Sequence, residues 1–211
     1  MKIGIIGATG NVGQIIYKEA IARDNDVTAL VRNSEKAKKL LGNNVNYLEK
    51  DALLLSHDDL KDFDVIIDAF ASPDAYRSLD LTGKLVALFR GQHKPHLIFV
   101  TDSSSLKNKD GVLQLADILK QFADQPWIQS SVEQNHSLDL LKWVDNVDWT
   151  IMTPQNDFVP GDKTNYRLGT DSVMKDRNGN SKLSYGNFAS AMLDESENPQ
   201  HIHQQFTVVN D

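Results

Sequence analysis

Residues 2–13 read Lys-Ile-Gly-Ile-Ile-Gly-Ala-Thr-Gly-Asn-Val-Gly, so Gly7, Gly10 and Gly13 fall at three-residue intervals between an apolar run and a helical pattern carrying Ile15, Ile16 and Ala20. A dinucleotide pyrophosphate needs this order. Small residues let its oxygens approach the backbone, and the helix N-terminus that follows presents free N–H groups and a positive dipole end. Thr9, Asn11 and Val12 fill the turn and join Gly7 and Gly10 as candidate cofactor contacts. The alternative is a tight strand-to-helix turn that binds nothing. No Gly-Lys-Ser/Thr follows the turn, so a nucleoside triphosphatase reading has no lysine for the β/γ-phosphates.

Further candidates stand at the ends of later apolar runs. Arg32 closes the second of these, at the place where a site preferring NAD carries an acidic residue for the ribose hydroxyls. A guanidinium there pairs with a 2′-phosphate and stacks on adenine, so NADP(H) is expected over NAD(H), or else Arg32 is a solvated strand end. Asn33 and Ser34 offer further donors or cap the next helix. Asp51, with Ala52, is placed to accept from the adenine amino group or to cap a loop. Ala69, Phe70 and Ala71 should border the adenosine ribose, although Ala69 and Ala71 equally suit ordinary core. Thr101 and Ser103 end the fifth apolar run, on the carboxyl side of the sheet where function usually gathers, and their hydroxyls suit a substrate oxygen, or else Ser103-Ser104-Ser105 is only a turn. Gln134 and His136 lie on a helix expected near the same cleft, as catalytic candidates with Ser103; His136 on its own equally suits a solvated helix face. No carboxylate accompanies His201 and His203 at ligand spacing, and no metal site is expected.

The elements that must position these residues alternate. Strands are expected over 26–32, 45–49, 64–70, 96–101 and 149–152, with helices at 35–41, 58–61, 79–89, 113–122 and 132–144 between them. The continuous run Asp64-Val65-Ile66-Ile67-Asp68-Ala69-Phe70 suits a strand covered on both faces. The class is α/β, a Rossmann-like doubly wound parallel sheet. The last third changes rhythm: polar loop over 162–170, a turn at Asn178-Gly179, a helix over 185–193 and an edge strand over 205–209. It reads as a small C-terminal cap, about 155–204, within a single domain spanning 1–211.

With 211 residues, no cysteine and no Gly/Ser/Pro-rich linker, the chain suits one core without disulfides or thiol chemistry. The formal charge of −7 shows no basic stripe, so neither nucleic acid nor an anionic membrane is an expected partner. No apolar run nears the roughly 20 residues a spanning helix needs, Met1-Lys2 leads straight into the first strand, and a cytoplasmic monomer or small homo-oligomer is expected.

Taken together, Gly7 to Gly13, Leu30-Val31-Arg32-Asn33, Asp51, Asp64 to Ile67, Asp148 to Pro154 and the tail from Tyr166 to Val208 resemble the atypical short-chain dehydrogenase/reductases of the NAD(P)-binding, NmrA-like kind. Within these the chain is similar to the small NADH-flavin reductase and biliverdin reductase B-like proteins. The resemblance implies a nicotinamide cofactor, a redox or redox-sensing role, and backbone near Pro154 meeting the carboxamide. Two departures matter. No tyrosine has lysine four positions on, so the Tyr-x-x-x-Lys proton donor of most short-chain dehydrogenases is missing. Asp102 stands where relatives carry small residues. The expected activity is therefore hydride transfer to an easily reduced small-molecule acceptor such as FMN, another flavin or a quinone, which needs little acid catalysis. A regulator that binds NAD(P) without chemistry is the alternative.

Overall fold

A computed structural model describes residues 1–211. Strands β1 (Lys2–Ile6), β2 (Asp26–Val31), β3 (Tyr47–Glu49), β4 (Val65–Asp68), β5 (Gln92–Val100) and β6 (Val147–Thr153) alternate with helices α1 (Asn11–Ala22), α2 (Ser34–Leu41), α3 (His57–Leu60), α4 (Tyr76–Phe89), α5 (Gln114–Phe122) and α6 (Ile128–Leu141). After β6 come β7 (Asp157–Val159), β8 (Tyr166–Gly169), β9 (Lys182–Ser184), α7 (Tyr185–Glu197) and β10 (Gln204–Asn210). The main sheet has eight strands in the order β3-β2-β1-β4-β5-β6-β10-β8, all parallel except β8, which runs antiparallel to β10.

Strand periodicity sorts the apolar residues onto two faces. Ile3, Ile5, Val65 and Ile67 enter one core with Ile16, Tyr17 and Ala20 of α1 and Phe188 and Met192 of α7. Ile6 and Ile66 point the other way, into a second core with Leu81, Leu85 and Phe89 of α4 and Leu138 and Leu141 of α6. A strand buried on both faces carries apolar residues at every position, which is why β4 reads as an unbroken run. The doubly wound α/β class expected from the sequence is the architecture found.

Two C-terminal elements differ from expectation. The strand expected at the sheet edge, 205–209, is interior: β10 pairs with β6 through Phe206↔Met152 and with β8 through Val208↔Leu168. The edge is β8, within the segment expected to be polar loop. Arg167 and Leu168 are exposed there, so β8 lacks the apolar alternation that marks a half-buried strand. The C-terminal region is small, as expected, yet α7 packs on the main sheet beside α1, while β7 and β9 form a separate parallel pair. Gly179 takes φ +84° in the turn expected at Asn178-Gly179.

Candidate nucleotide-binding cleft

The sheet order places β2 on one side of β1 and β4 on the other, so connections leave β1 and β4 in opposite directions. A crevice opens at their carboxyl ends, where the glycine turn lies. Gly7 takes φ +77°, and a Cβ there would stand 2.3 Å from the Ala69 carbonyl oxygen. A Cβ at Gly13 would stand 2.2 Å from the Gly7 carbonyl oxygen, so Gly13 is what lets α1 start against the turn.

Gly10 is different. It is exposed, its φ of −77° is open to any residue, and a Cβ would meet only the Gly7 carbonyl at 3.2 Å. Its smallness serves the space in front of it. Gly10 is also the N-cap of α1, with no side-chain hydrogen bond to the first-turn amides and no acidic residue in that turn. Free N–H groups and an uncompensated dipole end therefore face the crevice, the arrangement a pyrophosphate requires.

Two joined cavities form the cleft, sharing Gly10, Ala69, Phe70 and Ala71. The first, about 110 Å³, runs toward β2 and is lined also by Leu30, Arg32, Lys50 and Ala52. Lys50 pairs with Asp59 at 2.6 Å, whereas Arg32 has no ion-pair partner in the chain. The second, about 300 Å³, runs toward β5 and is lined by Asn11, Val12, Val100, Thr101, Asp102, Gln134 and Tyr185. The residues present fit a dinucleotide: an uncapped helix start at the centre, a cation with no partner at one end, and a wider chamber at the other.

Most of the residues expected from sequence meet in this cleft. Gly7, Gly10, Asn11, Val12, Arg32, Ala52, Ala69, Phe70, Ala71, Thr101 and Gln134 line it. Others do not. Asp51, expected to accept from adenine, accepts instead from the Leu53 N–H at 2.9 Å and from Arg77 at 2.7 and 2.8 Å, capping a 3-10 turn over 52–54. The Leu53 N–H and Arg77 hold its carboxyl below the usual carboxylate range against the opposing effect of burial. His136, placed among the catalytic candidates, is turned to the helix surface beside Glu133 at 3.3 Å, because two steps along a helix from Gln134 is roughly 200° around it. Ser103 lies off the lining, with its carbonyl accepting from Gln114 Nε2 at 2.7 Å. Thr9 likewise accepts through its carbonyl, from Gln14 Nε2 at 3.3 Å, and Pro154 is buried and lines neither cavity. The Thr101 hydroxyl bonds Thr153 Oγ1 at 2.7 Å, so it braces β5 against β6 rather than reaching into the cleft.

Lys50, Tyr185 and Asp68 were not among the site residues expected from sequence. Lys50 and Tyr185 line opposite ends. Asp102, noted only as a departure, is a chamber wall: it accepts from the Ser104 N–H at 2.9 Å, from the Ser104 hydroxyl and from Ser131 Oγ at 2.6 Å. Asp68, at the end of β4, is 8% exposed and accepts from the Phe70 N–H at 3.0 Å. Burial pushes its carboxyl up to about 7. It borders a cavity of about 20 Å³ that shares Phe70, Thr101 and Gln134 with the lining of the chamber. An aspartate inside an apolar strand carries no periodic signal that separates it from an ordinary strand end.

Comparison with known proteins agrees with this geometry. A family model described as NAD(P)H-binding matches residues 7–199. The chain is 33% identical over 215 residues to the uncharacterized protein YwnB of Bacillus subtilis (strain 168), covering 100% of this chain and 99% of that protein. A crystal structure of a Lactobacillus casei protein superposes with a TM-score of 0.94 at 33% identity, over 100% and 99% of the two chains. A candidate NADH-flavin reductase from Streptococcus pneumoniae TIGR4 superposes with a TM-score of 0.87 at 29% identity over 100% of both.

Proposed function

Because the chain belongs to the NAD(P)H-binding family, we propose that it is an NADPH-preferring reductase that passes hydride to an easily reduced conjugated acceptor, a quinone or a flavin. The observation that carries this reading is the cleft itself, with an uncapped helix start between a cation without a partner and a chamber open beside β5. The candidate flavin reductase among the structural relatives points the same way.

When bound, a reduced nicotinamide supplies the hydride. The chain's part is to hold and align. The first-turn amides of α1 would hold the pyrophosphate, and Arg32, with Lys50 lining the same cavity, would take the 2′-phosphate end. Val100, Asp102, Gln134 and Tyr185 line the chamber that would take the other end of the dinucleotide. Ala69 and Ala71 leave the middle of the cleft open, and Phe70 walls it.

Proton supply is where this site departs from alcohol dehydrogenases. Without a Tyr-x-x-x-Lys pair, protonation of a localised alkoxide has no dedicated donor. A quinone or flavin spreads the incoming charge over its ring, so water or a weak donor completes the reaction. The test is purified protein with NADPH and, in turn, FMN, menadione or dichlorophenolindophenol, following loss of the reduced cofactor's absorbance. Acceptor-dependent turnover is expected. Tight NADPH binding without turnover across the panel contradicts the reading and leaves a cofactor-binding regulator.

A further inference from the structure

The cleft is electrically polarised along its length. Its charged lining residues at the β2 end are Arg32 and Lys50, and Asp102 is the single charged residue lining the chamber at the β5 end. Asp102 has no ion-pair partner. Its three hydrogen-bond donors, the Ser104 N–H and the hydroxyls of Ser104 and Ser131, are all neutral, so they fix the carboxylate without cancelling its charge. The donors are themselves anchored: Asn135 Nδ2 donates to Ser104 Oγ at 2.8 Å and to the Ser131 carbonyl at 2.8 Å, and Ser104, Ser131 and Asn135 are all at most 5% exposed. This is a carboxylate held at a defined place in a chamber whose other walls are neutral, on a chain of net charge −7.

From this polarity we propose that Asp102 sets the charge selectivity of the chamber: it admits acceptors that are neutral or cationic at the reacting ring and rejects anionic ones. By the same field it favours the oxidised, positively charged nicotinamide over the reduced, neutral one. The first part rests on the reductase reading. The second depends only on cofactor binding, which gives a readout apart from turnover. A unit charge several ångströms away, in water-lined surroundings of effective dielectric about 35 to 50, changes a binding or rate ratio by about five- to tenfold.

The experiment compares native protein, Asp102→Asn and Asp102→Glu. With NADPH, kcat/KM is measured for 1,4-naphthoquinone and for 1,4-naphthoquinone-2-sulfonate, which carries its negative charge on the ring. The intrinsic difference in reactivity cancels when the ratio is compared between proteins. Asp102→Asn is expected to move the ratio about five- to tenfold toward the sulfonate, and Asp102→Glu to keep it near native. Dissociation constants for NADP+ and NADPH, measured without acceptor, should shift toward NADPH in Asp102→Asn by a similar factor. In native protein the discrimination should shrink from low to high salt, which tests the charge even if a variant misfolds. An unchanged quinone ratio and an unchanged NADP+/NADPH ratio in well-folded Asp102→Asn overturn the proposal, as does discrimination insensitive to salt. If native protein reduces neither quinone, the reductase reading fails by itself, and the cofactor ratio still decides the role of Asp102.

Discussion

Arg32 shows how a residue's type and its place in the fold combine. The sequence supplied a guanidinium at the end of the second strand, and the structure leaves it exposed, lining the cleft and without an ion-pair partner. Charge-assisted hydrogen bonds contribute roughly 1.5 to 3 kcal/mol, so Arg32→Ala is expected to weaken NADPH binding about ten- to a hundredfold while leaving NADH nearly unchanged. Calorimetric titration of both cofactors checks this; equal losses for the two remove Arg32 from phosphate recognition. Asp68 makes a second prediction at this scale. Burial raises its carboxyl from the ordinary 3.8 to about 7, so between these values the folded protein holds a proton that the unfolded chain has lost. Stability therefore falls as pH rises through that window and levels off above it. Asp68→Asn keeps an acceptor for the Phe70 N–H and removes the buried charge. Its melting temperature relative to native should rise from pH 4 to pH 8, and a constant difference contradicts the assignment. What the sequence made legible at this scale was residue type at strand ends. It did not reveal side-chain engagement: Asp51 was legible as an acceptor, but not as the partner of Arg77, 26 positions on.

At the scale of elements, the three glycines separate into different roles. Gly7 and Gly13 are packed against backbone, at 2.3 and 2.2 Å for an added Cβ, whereas a Cβ at Gly10 would meet only the Gly7 carbonyl oxygen, at 3.2 Å. Gly13→Val should destabilise the fold by about 1 to 3 kcal/mol or more, as overpacking does, whereas Gly10→Val should melt near the native temperature and lose dinucleotide binding. Thermal denaturation read beside NADPH titration distinguishes them. A Gly10→Val protein that binds normally would contradict the pyrophosphate reading. The parallel strands and their helices were legible because burial on both faces leaves long apolar runs, as in β4. The order of the C-terminal strands was not. β10 is interior only because β8 covers it, and β8, with Arg167 and Leu168 exposed, shows no local pattern from which that pairing follows.

Across the whole molecule, the two cores place α1 and α7 on one face and α4 and α6 on the other. The cleft between them runs from a cationic end to an anionic one. No helix is long and apolar enough to cross a membrane. The central claim is that this cleft aligns a reduced nicotinamide with an acceptor and lets hydride pass. Single-turnover stopped-flow tests it most directly, with protein in excess over NADPH or NADPH carrying deuterium at the transferred C4 position, mixed with 1,4-naphthoquinone. The account predicts loss of the reduced cofactor's absorbance at a rate that rises with acceptor and is slower for the deuterated cofactor. Absorbance that holds steady with NADPH bound and acceptor saturating would contradict it.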